Sequence, residues 1–202
     1  METQKIRIRG GTVKAIFIDT ETGGTDPKVH ALLQVAAIVY IDGVEKGRYN
    51  WKMKPSKGKT IDPESLAVTG CSLEEIETRE DSAVAFQAFR NMLSMYISKY
   101  DRRDKFQMIG WNSTFDDSFL REWFKDHGDT YYGSWIAWPT IDAAVLCAHA
   151  NRQTRGDITS FKLASIGKHY GLKFNEADLH DAMADIELTI LVYRKINGGK
   201  VD

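Results

Sequence analysis

The chain has 202 residues, 43% of them hydrophobic and 27% charged, which is the balance of a folded globular protein and not of a disordered one. No apolar run approaches the roughly 20 residues that span a bilayer, and the opening Met-Glu-Thr-Gln-Lys-Ile-Arg lacks an apolar signal segment, so neither membrane insertion nor secretion is expected. A net charge of −1 argues against gripping duplex DNA through an overall field and is silent about short single strands.

In chain order, residues 1–12 end in Gly10-Gly11, and the alternation around Ile6 and Ile8 suggests a short edge strand. Residues 13–19 form the first strand, whose apolar run Ala15 to Ile18 leads into Asp19-Thr20-Glu21. Gly23, Gly24, Asp26 and Pro27 make residues 20–30 a loop. Leu32 to Ile41 reads as a central strand, Asp42-Gly43 as a two-residue hairpin, and residues 44–54 as a half-buried strand. Pro63 opens a short helical turn, and Ser72 with Glu75 spells a capping box. Residues 82–99 read as a long helix with Phe86, Phe89 and Leu93 on its buried side.

Phe106 to Gly110 is a short strand, followed by a helix carrying Phe119, Leu120, Trp123 and Phe124. Trp135 to Trp138 reads as the last strand, and a helix then runs to about residue 149. Residues 160–170 form a helix stopped by Gly171, and Asp181 caps a final helix that ends at Ile196. Three strands joined by short turns should be antiparallel, and two reached through helices should run parallel to the first. The expected fold is therefore α/β: a mixed five-stranded sheet flanked by helices, in one domain over residues 1–202 with its core at about 13–196. Cys71 and Cys147 lie far apart without metal-ligand spacing, so reduced thiols in a cytoplasmic protein are expected.

The chemistry gathers at strand ends. Side chains two apart on a strand share a face, so Asp19 and Glu21 project together and Thr20 points away. Two adjacent carboxylates repel and are costly to bury. Such a pair is either a polar strand end or half of a site for a hard divalent cation. Asp116 stands where the fourth strand turns into a helix, and Asp117 suits a helix N-terminus capped by Thr114. Asp185 lies in the first turn of the last helix. His180 could join it only from the loop before Asp181, because a five-residue offset on a helix separates side chains by about 140°.

These residues carry a resemblance. Phe17-Ile-Asp19-Thr-Glu21-Thr-Gly23, Asn112-Ser-Thr-Phe115-Asp116-Asp-Ser-Phe119-Leu120 and His180-Asp-Ala-Met-Ala-Asp185 resemble the three motifs of the DnaQ-like (DEDDh) 3′→5′ exonucleases, which have the RNase H-like fold. Ile61 to Gly70 is similar to the family's connecting segment, and together the likeness covers most of residues 13–193. It implies that Asp19, Glu21, Asp116 and Asp185 hold two divalent cations, Mg²⁺ or Mn²⁺, and that His180 is the general base. It also implies that Thr22, Gly23 and Phe115 contact the substrate. The implied substrate is the 3′ end of single-stranded or frayed DNA, with RNA as the alternative. A freestanding nuclease and a polymerase's proofreading partner both fit, and a non-catalytic binding module is disfavoured by the presence of all five site residues. Thr69 and Trp111 stand where the family often has histidine, which puts the grip on the terminal nucleotides in question.

Elsewhere the plainer readings are preferred. His30, His127, His149 and His169 are expected to be structural. Trp51, Trp111, Trp123, Trp135 and Trp138 are expected in the core or on strand surfaces, not as a stacking platform. Lys52, Lys54, Lys57 and Lys59, like Arg152, Arg155 and Lys162, are expected on a solvated surface, with a nucleic-acid backbone as the alternative.

Overall fold

The computed structural model describes residues 12–179 and 181–199, and the expected edge strand around Ile6 and Ile8 lies outside them. The first three strands are β1 (Lys14–Thr22), β2 (Leu32–Ile41) and β3 (Val44–Lys52), paired antiparallel. Asp42 (φ 50°) and Gly43 (φ 74°) both take positive φ, as a tight hairpin between right-twisted strands demands. β4 (Gln107–Gly110) lies parallel to β1, and β5 (Ile141–Asp142) lies parallel to β4. The sheet order is β3-β2-β1-β4-β5, and the strand directions are those the connections led one to expect.

The helices are α1 (Pro63–Thr69), α2 (Leu73–Glu77), α3 (Ser82–Tyr96), α4 (Ser113–Asp126), α5 (Ala143–Ala150), α6 (Leu163–His169) and α7 (Ala182–Ile196). Their starts follow local chemistry. Ser72 Oγ accepts from Glu75 N (3.1 Å), Asp81 from Ala83 N (2.7 Å) and Asp181 from Met183 N (3.0 Å). α4 begins differently: Asn112 takes φ 61°, a conformation asparagine tolerates, and turns the chain sharply out of β4.

Two expectations need correction. β1 continues to Thr22, so Glu21 lies within the strand with Asp19 and not in the loop expected over residues 20–30. The stretch Trp135 to Trp138 is not a strand; it meets the sheet only through one bridge, Phe106 to Ile136. Its apolar spelling suggested a buried strand, yet Trp138 is 83% exposed. Pro139 then removes a backbone donor, and pairing resumes only at Ile141.

Alternation along the strands divides the core. Ile16, Ile18, Val35, Ala37 and Val39 pack on Phe86, Phe89, Leu93, Trp123 and Phe124 of α3 and α4. Ala15, Phe17, Ala36, Ile38 and Tyr40 pack on Ile186, Ile190 and Tyr193 of α7 and Ala143 of α5. Phe17 meets Tyr40 and Tyr193 edge-on, at 5.7 and 5.5 Å between ring centroids. Each such pair adds about 0.5–1.5 kcal/mol beyond burial. The division positions the chemistry: Asp19 and Glu21 fall on the α7 face, and Thr20 falls on the α4 face.

Candidate active site

The α7 face brings three of the expected residues together. Asp19, Glu21 and Asp185 each offer a carboxylate oxygen, all within 4.8 Å of one another. Asp19 and Glu21 come from the last turn of the pleat in β1. Asp185 comes from the first turn of α7, where the helix dipole favours negative charge.

Asp116 reaches the site from the other face. It is 2% exposed in the first turn of α4, and its Oδ1 accepts the Thr20 hydroxyl at 2.7 Å. It therefore stands beside the trio and is held by the residue that points away from it. Asp116 still acts electrostatically on Asp19 and Glu21. Thr20 was not among the expected site residues; the clue was its place between two carboxylates on the opposite side of the strand. Asp117 does not serve a Thr114 cap. Its carboxylate accepts the Tyr132 hydroxyl (2.8 Å) and pairs with Arg121 (2.6 Å).

The charges in this cluster oppose one another. Burial, then Asp116, Asp185 and Glu21, hold the Asp19 carboxyl well above its usual range. Burial, then Asp185, Asp181 and Asp116, push Glu21 up to about 8. Burial raises Asp116 to about 7 against the hydrogen bonds from Thr20. Desolvated carboxylates in repulsion are relieved by a hard cation with oxygen preference, so the donor set fits Mg²⁺ or Mn²⁺. His180 lies outside the described residues.

A second polar group borders the trio. Cross-strand register places Glu21, Gln34 and Lys52 in one row over β1, β2 and β3. Gln34, 3% exposed, donates to Asn50 Oδ1 (3.0 Å) and to Asp181 Oδ2 (3.2 Å). Lys52 Nζ lies 3.3 Å from the same Asp181 oxygen. Burial works to raise the Asp181 pKa, but these bonds and the one from Met183 N outweigh it and hold the carboxyl below its usual value.

Glu21 separates two cavities. One, of about 500 Å³, is lined by Gln34, Lys52, Cys71, Arg79 and Asp181. The other, of about 440 Å³, is lined by Thr20, Thr22, Gly24, Glu64, Ser65 and Phe115. Thr22 and Phe115, two of the three expected substrate contacts, line this second cavity. Gly23 does not line either cavity: its N–H donates to Ala31 O, its carbonyl accepts from Asp62 N (both 2.7 Å), and a Cβ would meet Thr60 O at 2.9 Å. Its smallness serves the packing of this loop on residues 60–61.

The other residue-level readings mostly hold. The His30 ring spans Asp26 N (2.9 Å) and Asp62 (3.1 Å), and His127 stacks on Phe86, so both are structural. Lys59 is no backbone contact: only 8% of its side chain is exposed, and it ties Pro27 O (2.8 Å), Lys28 O (3.0 Å) and Asp126 (3.4 Å) together. Arg155 lies over the Phe161 ring at 4.4 Å. Trp111, half-buried, packs against the core clusters formed with α5 and α7.

Three comparisons place this architecture. Residues 16–193 match the family model RNase_T, described as Exonuclease. Ribonuclease T of Cronobacter sakazakii is 26% identical over 188 residues, covering 90% of this chain and 80% of the relative. The fold matches exonuclease I of E. coli in complex with a dT13 oligonucleotide, with a TM-score of 0.72, 24% identity, 92% of this chain and 41% of that chain. The zinc-bound form of the E. coli exonuclease I complex with single-stranded DNA matches with a TM-score of 0.75 at 23% identity. This chain spans about two-fifths of the exonuclease I length, and that likeness establishes the fold.

Proposed function

This chain belongs to the RNase T exonuclease family, and on that premise we propose that it is a DnaQ-like 3′→5′ exonuclease releasing nucleoside monophosphates from single-stranded or frayed DNA ends. The observation that carries the reading is the convergence of Asp19, Glu21 and Asp185 oxygens within 4.8 Å at the end of β1. Asp19, Glu21, Asp116 and Asp185 are the residues we assign to two divalent cations, Mg²⁺ or Mn²⁺. Bound there, such cations offset phosphate charge and acidify water.

The protein's own groups set the geometry. Thr20 holds Asp116 towards the cluster through the 2.7 Å hydrogen bond. Asp181 caps α7 and so fixes the turn that carries Asp185. Phe115 and Thr22 line the cavity beside Glu21, where the half-buried ring offers a face to a terminal base. His180, one residue before that cap, is assigned as the general base on its sequence motif. A cytoplasmic location is part of the same proposal.

One observation favours a second reading. The Cronobacter relative is a ribonuclease, so an exoribonuclease of the same chemistry is the alternative. Competition between DNA and RNA oligonucleotides of one sequence separates the two. With Mg²⁺ present, Asp19→Ala should abolish turnover and His180→Ala should lower it about 10²- to 10⁴-fold. Full activity of Asp19→Ala would overturn the site, and full activity of His180→Ala would remove the base assignment.

A further inference from the structure

The cavity that Phe115 lines beside Glu21 draws on two further chain segments. Gly24 and Thr25 come from the loop after β1, and Asp62 comes from the start of α1. One side chain outside the cavity touches both segments. A Cβ on Gly24 would stand 2.5 Å from His30 Cγ, so the imidazole packs directly against the Gly24 backbone. His30 Nε2 lies 3.1 Å from Asp62 Oδ2, and only 13% of the His30 side chain is exposed.

The ring is oriented by its other nitrogen. Nδ1 accepts the Asp26 N–H at 2.9 Å, so in the neutral ring the proton is on Nε2, the nitrogen that faces Asp62. Main-chain bonds make one unit of these segments. Asp62 N donates to Gly23 O (2.7 Å), Ala31 N to Thr60 O (2.8 Å) and Thr60 N to Val29 O (3.0 Å).

Asp62 is spent unusually. It occupies the N-cap of α1 in an extended conformation, yet its carboxylate makes no cap hydrogen bond, whereas Ser72, Asp81 and Asp181 all cap their helices. The carboxylate faces His30 instead. Strength does not explain this choice, because 55% of the Asp62 side chain is in solvent and such pairs add little stability. What the contact fixes is placement: the spacing between Gly24 and Asp62 along the cavity.

We infer that His30 is a positioning residue for the nuclease, whose link to Asp62 sets the shape of the cavity and so the grip on the 3′-terminal nucleotide. The inference rests on the nuclease reading above. Loss of the link should fall on substrate binding and spare the cations, because neither Gly24 nor Asp62 belongs to the carboxylate trio.

The test is steady-state hydrolysis of a 5′-labelled oligothymidylate with Mg²⁺, beside calorimetric Mn²⁺ binding. His30→Ala should raise KM at least about fivefold, with kcat and Mn²⁺ affinity within about twofold. Two conservative variants separate the ring's two contacts. His30→Gln carries an amide to the reach of Nε2 and should recover most of the loss, while His30→Asn restores only the acceptor for Asp26 N–H and should not. His30→Ala and Asp62→Ser should not add in KM, as partners in one contact do not. Unchanged KM in folded His30→Ala would overturn the inference, and so would recovery by His30→Asn and not by His30→Gln. A joint fall in kcat and Mn²⁺ affinity would also overturn it, by making His30 a support of β1. Should His30→Ala fail to fold, the contrast between His30→Gln and His30→Asn decides alone. Absence of Mg²⁺-dependent hydrolysis in the unaltered protein would instead defeat the nuclease reading itself.

Discussion

Glu21 retains its proton to about pH 8 because burial and three neighbouring carboxylates oppose its charge. The ordinary value is 4.5, so between the two the folded chain holds a proton that the unfolded chain has released. A carboxyl raised in this way contributes stability that is complete below about pH 4.5 and is lost as pH rises towards about 8. Asp116, raised to about 7, acts in the same direction. Metal-free protein should therefore lose thermal stability between pH 5 and pH 8, Glu21→Gln should flatten that loss, and saturating Mn²⁺ should restore stability at pH 8. A cation entering the site displaces these protons, so Mn²⁺ affinity measured by calorimetry should rise through pH 7–8, with a heat that depends on the buffer. An affinity independent of pH would contradict the assignment.

At the scale of elements, the site depends on how α7 is tied to the sheet. Gln34 and Lys52, both in the cross-strand row with Glu21, hold Asp181, and Asp181 holds the first turn of α7. Gln34→Leu leaves Asp181 and Asn50 without their buried donor, which costs about 1–3 kcal/mol. Urea unfolding should show that loss, and Mn²⁺ binding should weaken with it because Asp185 rides on the same turn. Wild-type affinity in Gln34→Leu would show that the row is not what places Asp185. This row was not legible in the sequence, since it depends on strand register and on a bulge between Glu21 and Thr22. The pair Asp19 and Glu21 was legible because a strand's two-residue period is local. The Thr20–Asp116 bond was not, because it requires knowing that α4 packs on the opposite face. The strand directions followed from Asp42-Gly43 and the helical connections, and the misplaced fifth strand arose because an apolar run with two tryptophans looks the same buried or exposed.

The whole molecule spends its charges locally. Lys59 is built into a loop, Lys52 offsets Asp181, and Arg121 pairs with Asp117 on α4. Composition reported a near-neutral chain, and only the fold shows the carboxylates of Asp19, Glu21 and Asp185 gathered at the end of β1. Among the described residues no helix is long and apolar enough to cross a membrane. The proposed 3′→5′ activity sets the polarity of digestion: a 3′ end enters the carboxylate cluster and the strand trails away from it. The most direct measurement is hydrolysis of one single-stranded oligonucleotide labelled at its 5′ end or at its 3′ end, with Mg²⁺ or with EDTA. With Mg²⁺, the 3′ label should leave at once as a mononucleotide while the 5′-labelled strand shortens in single-nucleotide steps, and EDTA should stop both. Release of the 5′ label first, or digestion that survives EDTA, would contradict the account.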